Sequence, residues 1–548
     1  MKEWTIMVYM AGDNNLSENM AFSLEGLEIS STDLRRLNQQ DQVNLLAYFD
    51  SSSLTAPTHY IDYSEAETYR HPIEKNDRIH KSVEAETHFT SQEDSASAYS
   101  ILNFVHWCLK KRKRTAKNYA LIFSAHSFGF HGTSFLRDET SGSFMTLSTF
   151  RKTLEQINSQ YLEPQEKIAI LGFDSCVMSM LEVGYELRDV AQTLVASEGS
   201  LPNSGWSYAP MLKEFVASFS KEQRESQMPI LPTAEYVKAA ARGFVKAFIT
   251  QYKNLAIGGR SVDIASWDLA KIDPVAENLN DLAKELNKHL YLVEKINAGE
   301  LTDRDIAVYQ ELKKIILQSH FEAQTYMREQ CIDLKDFCQR LIIECKYMEN
   351  TENARFFKAI AEKSKDVIKA IDDCVLKCGY SGEEYQFSNG ISLYFPWTYV
   401  TYYLTQDKYQ RLIFNQGKDD DGSYNEDVNN PKGVGKDWNK FLENYVTQVT
   451  VRKLRKNAKG QTSMLDDFSK KSVLWNQQNP LWNKDNPHWN KDNPHWNKDN
   501  PHWNKDNPHW NKGEIGEYLF YFGRFKNFQM HWEINGYTDE VKFDDTKE

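Results

Sequence analysis

No stretch of about 18 consecutive apolar residues occurs in this 548-residue chain, so the sequence contains no segment of the length that spans a bilayer as a helix. Net positive charge is also lacking. The formal charge is -12, which argues against a nucleic-acid-binding surface as the main function. The N-terminal "MKEWTIMVYMAGDNNL" has one Lys and an apolar run of only about eight residues, and it meets turn residues where a signal peptide would have a small-residue cleavage site. It reads as a first strand, and the expected compartment is the cytoplasm. Cysteines number seven, an odd count that suits reduced thiols. Cys374 and Cys378 form a C-x3-C pair on a helix-like segment, but no second Cys/His pair follows at zinc-site spacing, so no metal site is assigned. A G-x-S-x-G elbow is absent too, which removes the usual signature of a serine hydrolase.

What is present is an alternation of strand and helix. Trp4 to Met10, Val43 to Phe49, Asn118 to Ala125, Ile168 to Phe173, Thr193 to Ser197 and Arg260 to Ser266 read as strands. Leu16 to Leu37, with an apolar stripe of Met20, Phe22, Leu24 and Leu27, and Ala96 to Leu109 read as helices. The basic run "KKRKR" after the second helix suits its C-terminal dipole. Such alternation predicts a mainly parallel sheet covered on both faces. From about 268 to 375 the pattern is helical throughout. "NGISLYFP" then returns to strand, and Trp438 to Val451 reads as a closing helix.

Two strand tips carry chemistry. "LGFDSCVMSMLEVGYEL" places Asp174, Ser175 and Cys176 between an apolar strand and a helical pattern, and "ALIFSAHSFGFHG" places His126 at the end of the preceding strand. Carboxyl ends of parallel strands are where α/β sheets gather their ligands. A cysteine with a histidine in reach is the minimal nucleophile and acid/base pair. Each residue also has a plain structural reading: Cys176 as a small apolar residue closing a core strand, His126 as a satisfied loop histidine, and Asp174 as a helix N-cap.

Those segments, with "WTIMVYMAGDNNL", "ASEGSLPNSGW", "CIDLKDF" and "NGISLYFP", resemble in order and rough spacing the clostripain-like cysteine peptidases of the caspase-like clan, across about residues 1 to 450. The resemblance implies a caspase-like α/β/α sandwich with a mainly parallel sheet, and hydrolysis of polypeptides by a Cys/His dyad. It carries over Cys176 as nucleophile and His126 as general acid/base, with Asp174 in the pocket for the side chain before the cut. Backbone N–H groups of Cys176 and Ser127 would hold the oxyanion, and a helix starting at Cys176 would lower its pKa. Ser127 stands where the family typically has Gly. The family's second pocket acid is missing, since Asn203 and Ser204 occupy the corresponding stretch, with Glu198 further off. The implied preference is for Arg over Lys, weakened by the loss of one charge.

Relatives often cut themselves between the His and Cys segments, where Arg137 is the best-placed basic residue. Some depend on calcium, and "KDDDGSYNEDVNN" (418–430) is acidic enough for a hard cation but lacks EF-hand spacing, so a solvated loop is the expectation and no cofactor is required. Beyond residue 470 a seven-residue unit repeats with Trp475, Trp482, Trp489, Trp496, Trp503 and Trp510. Its prolines exclude a continuous helix. It is either an expanded linker or an arm for a protein or glycan partner. The expected organisation is a catalytic core over 1–267, a helical insertion over 268–385, a return of the core over 386–460, the repeat arm over 470–512 and a small aromatic β element over 513–548. The alternative to an enzyme is a catalytically silent binding protein of the same fold that uses the repeat arm.

Overall fold

The computed structural model describes residues 1–450 except 54–55, 82–89, 131–134, 226–232, 255–260, 291–301, 327–329, 349, 420–422 and 426, and the side chains of 219–225, 233 and 254. Beyond 450 it describes the backbone of four short strands, Arg455–Lys456, Thr462–Ser463, Gln529–Ile534 and Tyr537–Lys542. The last two pair as an antiparallel hairpin. The repeat arm lies outside the described residues.

The chain divides into two compact units. The first comprises Met1–Val275 and Ala370–Leu393, the second Ala276–Lys369 and Tyr394–Glu548. The described residues from Tyr394 to Thr450 fall in the second unit.

Strands β1 (Lys2–Gly12), β2 (Val43–Ser51), β5 (Ala116–Ser124), β6 (Ile168–Asp174) and β7 (Ala191–Ala196) form the parallel centre of the first unit's sheet, in the order β2-β1-β5-β6-β7. Their residues are buried almost without alternation; β6 is enclosed at all seven positions. That is the signature of a strand covered on both faces. Antiparallel strands flank this centre. On one side lie β3 (His59–Asp62) and β4 (Tyr69–Pro72), and on the other β8 (Val262–Asp268) and then Val375–Ser381. The strand expected at Arg260 to Ser266 is therefore present as β8, but it runs against its neighbour. Cys378 sits exposed on the outermost strand and Cys374 is buried at the end of the helix Ala354–Cys374, so the pair does not share a helix.

Helices α1 (Ser17–Arg36), α5 (Tyr208–Glu225) and α6 (Thr233–Asn254) cover one face, and Met20, Leu24 and Leu27 of α1 join the core with Met211, Phe215 and Phe244. Phe22, assigned to the apolar stripe, is instead 70% exposed, because a residue two positions from Met20 or Leu24 points to another side of the helix. Helix α2 (Ala98–His106) ends in a π turn over Trp107–Lys111. Of the basic run that follows it, Arg112 and Arg114 do not serve the helix terminus. Both place Nε 2.8 Å from Oδ2 of Asp62, which is fully buried on β3. The second unit has its own aromatic core, in which His320 stacks between Phe395 and Trp397 and bonds the Tyr445 hydroxyl at 2.7 Å.

Candidate active site

The register of β5 and β6 sets Ser124 opposite Asp174, so the two strand tips emerge side by side at the carboxyl edge of the sheet. The strand order turns back between β1 and β5, which makes this edge a switch point where a crevice opens. A cleft of about 390 Å³, counted with its open mouth, lies there; its lining includes Ser124, His126, Asp174, Cys176, Asn203 and Ser204. The structure thus brings together His126, Cys176, Asp174, Asn203 and Ser204.

Cys176 does not begin a helix. The next helix, α4 (Leu181–Leu187), starts five residues later, and the intervening chain is a turn. Val177 in that turn has φ +57°, a left-handed conformation that a β-branched residue rarely adopts. Its N–H donates to Gly199 O at 3.0 Å, and Ser179 N to Ser197 O at 2.9 Å, so the turn is held against the loop after β7. Gly129 (φ +60°) packs beneath it, where a Cβ would lie 2.2 Å from Met180 Sδ. Without a helix dipole, burial pushes the half-buried Cys176 thiol above its ordinary pKa. The Leu201 N–H donates to Sγ at 3.3 Å and opposes that shift. Cys176 is therefore a thiol at rest, and the expected dipole-lowered thiolate is not what the turn provides.

His126 follows β5 by two residues and is half-buried. Its Nε2 is bonded to Oδ1 of Asn15, in the turn after β1, and the imidazole pKa is lowered to about 4 by burial and by the nearby Arg137. The ring is thus neutral near pH 7. Among the described residues no hydrogen bond joins it to the Cys176 sulfur. Ser127 is fully buried and donates its hydroxyl hydrogen to the carbonyl oxygen of Cys176. Its φ is not in the left-handed region, so glycine is not required there.

Asp174 is 4% exposed and accepts three hydrogen bonds: Trp206 N to Oδ1 at 2.8 Å, Ser124 Oγ to Oδ2 at 3.0 Å and Tyr208 OH to Oδ2 at 2.9 Å. Burial raises its pKa to about 6 despite these donors. Gly205, at φ +60°, lets the chain pass over the carboxylate; a Cβ there would sit 2.7 Å from both oxygens. Because no helix starts at Asp174, the N-cap reading fails. Asp174 is the only carboxylate among the described lining residues. Glu198 turns away from the cleft: it is fully buried and accepts the Gly390 N–H at 2.7 Å. Arg137 is half-buried, with its carbonyl accepting Asn14 Nδ2 at 3.1 Å.

Sequence reasoning did not assign Asn15, Trp206, Tyr208 or Asp263. Asn15 stands in the quoted "GDNNL", and its place directly after a strand was the available signal. Asp263 is fully enclosed and braces the loop after β7, accepting Glu198 N at 2.7 Å and Gly199 N at 2.8 Å.

The family model of the Clostripain family matches residues 8–447, and the chain belongs to that family. It is a cysteine peptidase. Among solved structures, an inactive zymogen C11 protease from Parabacteroides distasonis aligns at 16% identity over 72% of this chain and 92% of that one, with a TM-score of 0.46. A secreted C11 cysteine protease from Bacteroides thetaiotaomicron, solved with an irreversible peptide inhibitor, aligns at 15% identity over 75% and 98%, with a TM-score of 0.45. No curated protein matches the chain. Among the described residues no helix is long and apolar enough to cross a membrane.

Proposed function

We propose that the chain cleaves polypeptides after basic residues, Arg before Lys, with Cys176 as nucleophile and His126 as acid/base. The observation that carries this reading is the placement of a buried, ionisable Asp174 in the cleft that both residues line. Three of its lone-pair sites are used, which leaves room on Oδ1 for one further donor. At neutral pH a carboxylate with a pKa near 6 is ionised, and an incoming guanidinium would relieve its burial.

In the reaction, Sγ of Cys176 bonds to the substrate carbonyl carbon as its proton passes to the neutral imidazole. Asn15 engages Nε2, so Nδ1 is the nitrogen left to carry that proton. The imidazolium then protonates the departing amine as the C–N bond breaks. Water attacks the thioester next, with His126 as base. Among the described residues the N–H groups of Ser127 and Cys176 have no acceptor, which supports their role toward the oxyanion.

Self-cleavage after Arg137 belongs to the same reading, although the carbonyl of that bond is already engaged by Asn14 and the Asp138 N–H by Ser143 O at 3.1 Å. A cut there requires this loop to open first. The cytoplasmic setting rests on the odd count of seven cysteines, which suits reduced thiols; the Bacteroides thetaiotaomicron protein is described as secreted, and cell fractionation separates the two. A peptide-library digest read by mass spectrometry tests the specificity: cuts should follow Arg most often and Lys next. Cuts mainly after Asp, Gly or large apolar residues would remove the basic-pocket assignment.

A further inference from the structure

The outermost strand, Val375–Ser381, pairs with β8, and the polar, turn-rich segment after it, "GEEYQFSNGIS" (382–392), runs back beside the loops of the active site. Ser179, in the turn after Cys176, donates its hydroxyl hydrogen to Gly390 O at 2.8 Å, and Ser392 N donates to Ser179 O at 2.9 Å. Tyr385 lies against the other loop, the one after β7. Its hydroxyl accepts the Ser200 N–H at 3.2 Å, and its ring packs on Gly199, where a Cβ would sit 2.4 Å from Cε2 and Cζ. Burial raises the Tyr385 pKa, so the group is a neutral phenol near pH 7.

The next N–H along this loop belongs to Leu201, and it donates to Cys176 Sγ at 3.3 Å. Two consecutive N–H groups are thus divided between the phenol and the sulfur. Only φ and ψ of Ser200 separate them, so holding the first restricts where the second can point. We propose that Tyr385 is a positioning residue for Cys176: its hydroxyl and ring fix Gly199 and Ser200 so that the Leu201 N–H stays aimed at Sγ. The proposal rests on reading Cys176 as the nucleophile. Tyr385 is not among the described residues lining the cleft, so it acts through the loop and not on substrate.

The surroundings of the sulfur show why that aim matters. Burial pushes the thiol up, and Asp174 on its own strand and Asp263 on β8 add to the push. His126, across the cleft, is neutral near pH 7 and supplies no compensating charge. The donors that oppose these effects are the Leu201 N–H and the Ser200 side chain, both on the segment that Tyr385 holds. A donor to sulfur favours the thiolate, and a donor swung aside leaves burial unopposed.

The test compares the full-length parent with Tyr385→Phe, which keeps the ring and removes the acceptor. Alkylation of Cys176 by iodoacetamide is followed across pH by peptide mapping, so that Cys378 is scored separately, and Tm and steady-state kinetics are recorded in parallel. Because only the thiolate reacts, a raised thiol pKa slows labelling below that pKa and the gap closes as the pH rises. Tyr385→Phe should raise the apparent pKa of Cys176 by about 0.5 to 1, a roughly three- to tenfold slower reaction at neutral pH. The kcat should fall by a similar factor with KM near the parent value. Gly199→Ala, whose methyl would displace the end of the Tyr385 ring, should shift Cys176 in the same direction. An unshifted Cys176 in folded Tyr385→Phe, even with a lower Tm or kcat, overturns the proposal; if Tyr385→Phe does not fold, an unshifted Gly199→Ala does so. Since alkylation needs no turnover, that failure is distinct from failure of the peptidase reading, which would appear as hydrolysis persisting in Cys176→Ala.

Discussion

Ser127 donates its hydroxyl hydrogen to the carbonyl oxygen of Cys176, so the residue after the acid/base is tied to the nucleophile's own backbone. The side chain that replaces the family's typical glycine therefore joins the two halves of the site. Ser127→Ala keeps the N–H and cuts the tie, leaving a partly buried carbonyl without that donor, at a cost of about 1 kcal/mol. A lower Tm and a roughly tenfold lower kcat, with KM little changed, are expected from thermal unfolding and steady-state kinetics.

Asn15 acts on His126 through Nε2, which makes it a positioning residue. Asn15→Ala should lower kcat about tenfold while leaving KM near its original value. Asn15→Asp should recover part of the loss and move the acid limb of the pH profile upward, because a carboxylate beside the ring stabilises imidazolium. A purely structural role for Asn15 would leave that limb in place.

Asp174 separates substrates by pH. Its ionised form is the one that attracts a guanidinium, and its pKa stands near 6 against about 4 for His126. For an Arg substrate, kcat/KM should rise between pH 5 and 7 as Asp174 loses its proton. For a neutral substrate the rise should fall near pH 4, where His126 titrates. Asp174→Asn should lower kcat/KM for Arg substrates by roughly one to two powers of ten, about 1.4 to 2.7 kcal/mol, and merge the two profiles.

Thiol labelling should follow exposure and burial. Cys378 is exposed and Cys176 half-buried, while the other five cysteines are enclosed. Iodoacetamide at neutral pH should reach Cys378 no later than Cys176, since burial holds the Cys176 thiol protonated. An acyloxymethyl ketone bearing Arg, which needs the cleft, should label Cys176 alone. Peptide mapping by mass spectrometry distinguishes the two sulfurs.

The parallel centre of the fold was legible because strands buried on both faces write continuous apolar runs, as in "TIMVYM" and "IAILGF". The edges were not. Tyr69–Pro72 and Val375–Ser381 are short or half-exposed, and the latter continues directly from a helix, so no change of period marks it. At the site, Cys176, His126 and Asp174 were visible because strand tips are punctuated by polar residues. The turn after Cys176 was misread as helix because Met178 falls at roughly the helical spacing of Leu181, Val183, Tyr185 and Leu187, while Val177 adopts a positive φ and the helix begins only at Leu181. Tyr385 lies 185 residues beyond Ser200, whose N–H it accepts, and only the pairing of Val375–Ser381 with β8 brings it there.

The central claim is that Cys176 and His126 work as one catalytic unit, and a double-mutant comparison tests it most directly. Hydrolysis of an Arg-containing peptide should be measured for the parent, Cys176→Ala, His126→Ala and the double variant, each confirmed folded by its thermal transition. The account predicts that each single change abolishes turnover to the level of the double variant, because members of one unit do not add. Turnover that persists in Cys176→Ala, or falls in separate additive steps, would contradict it.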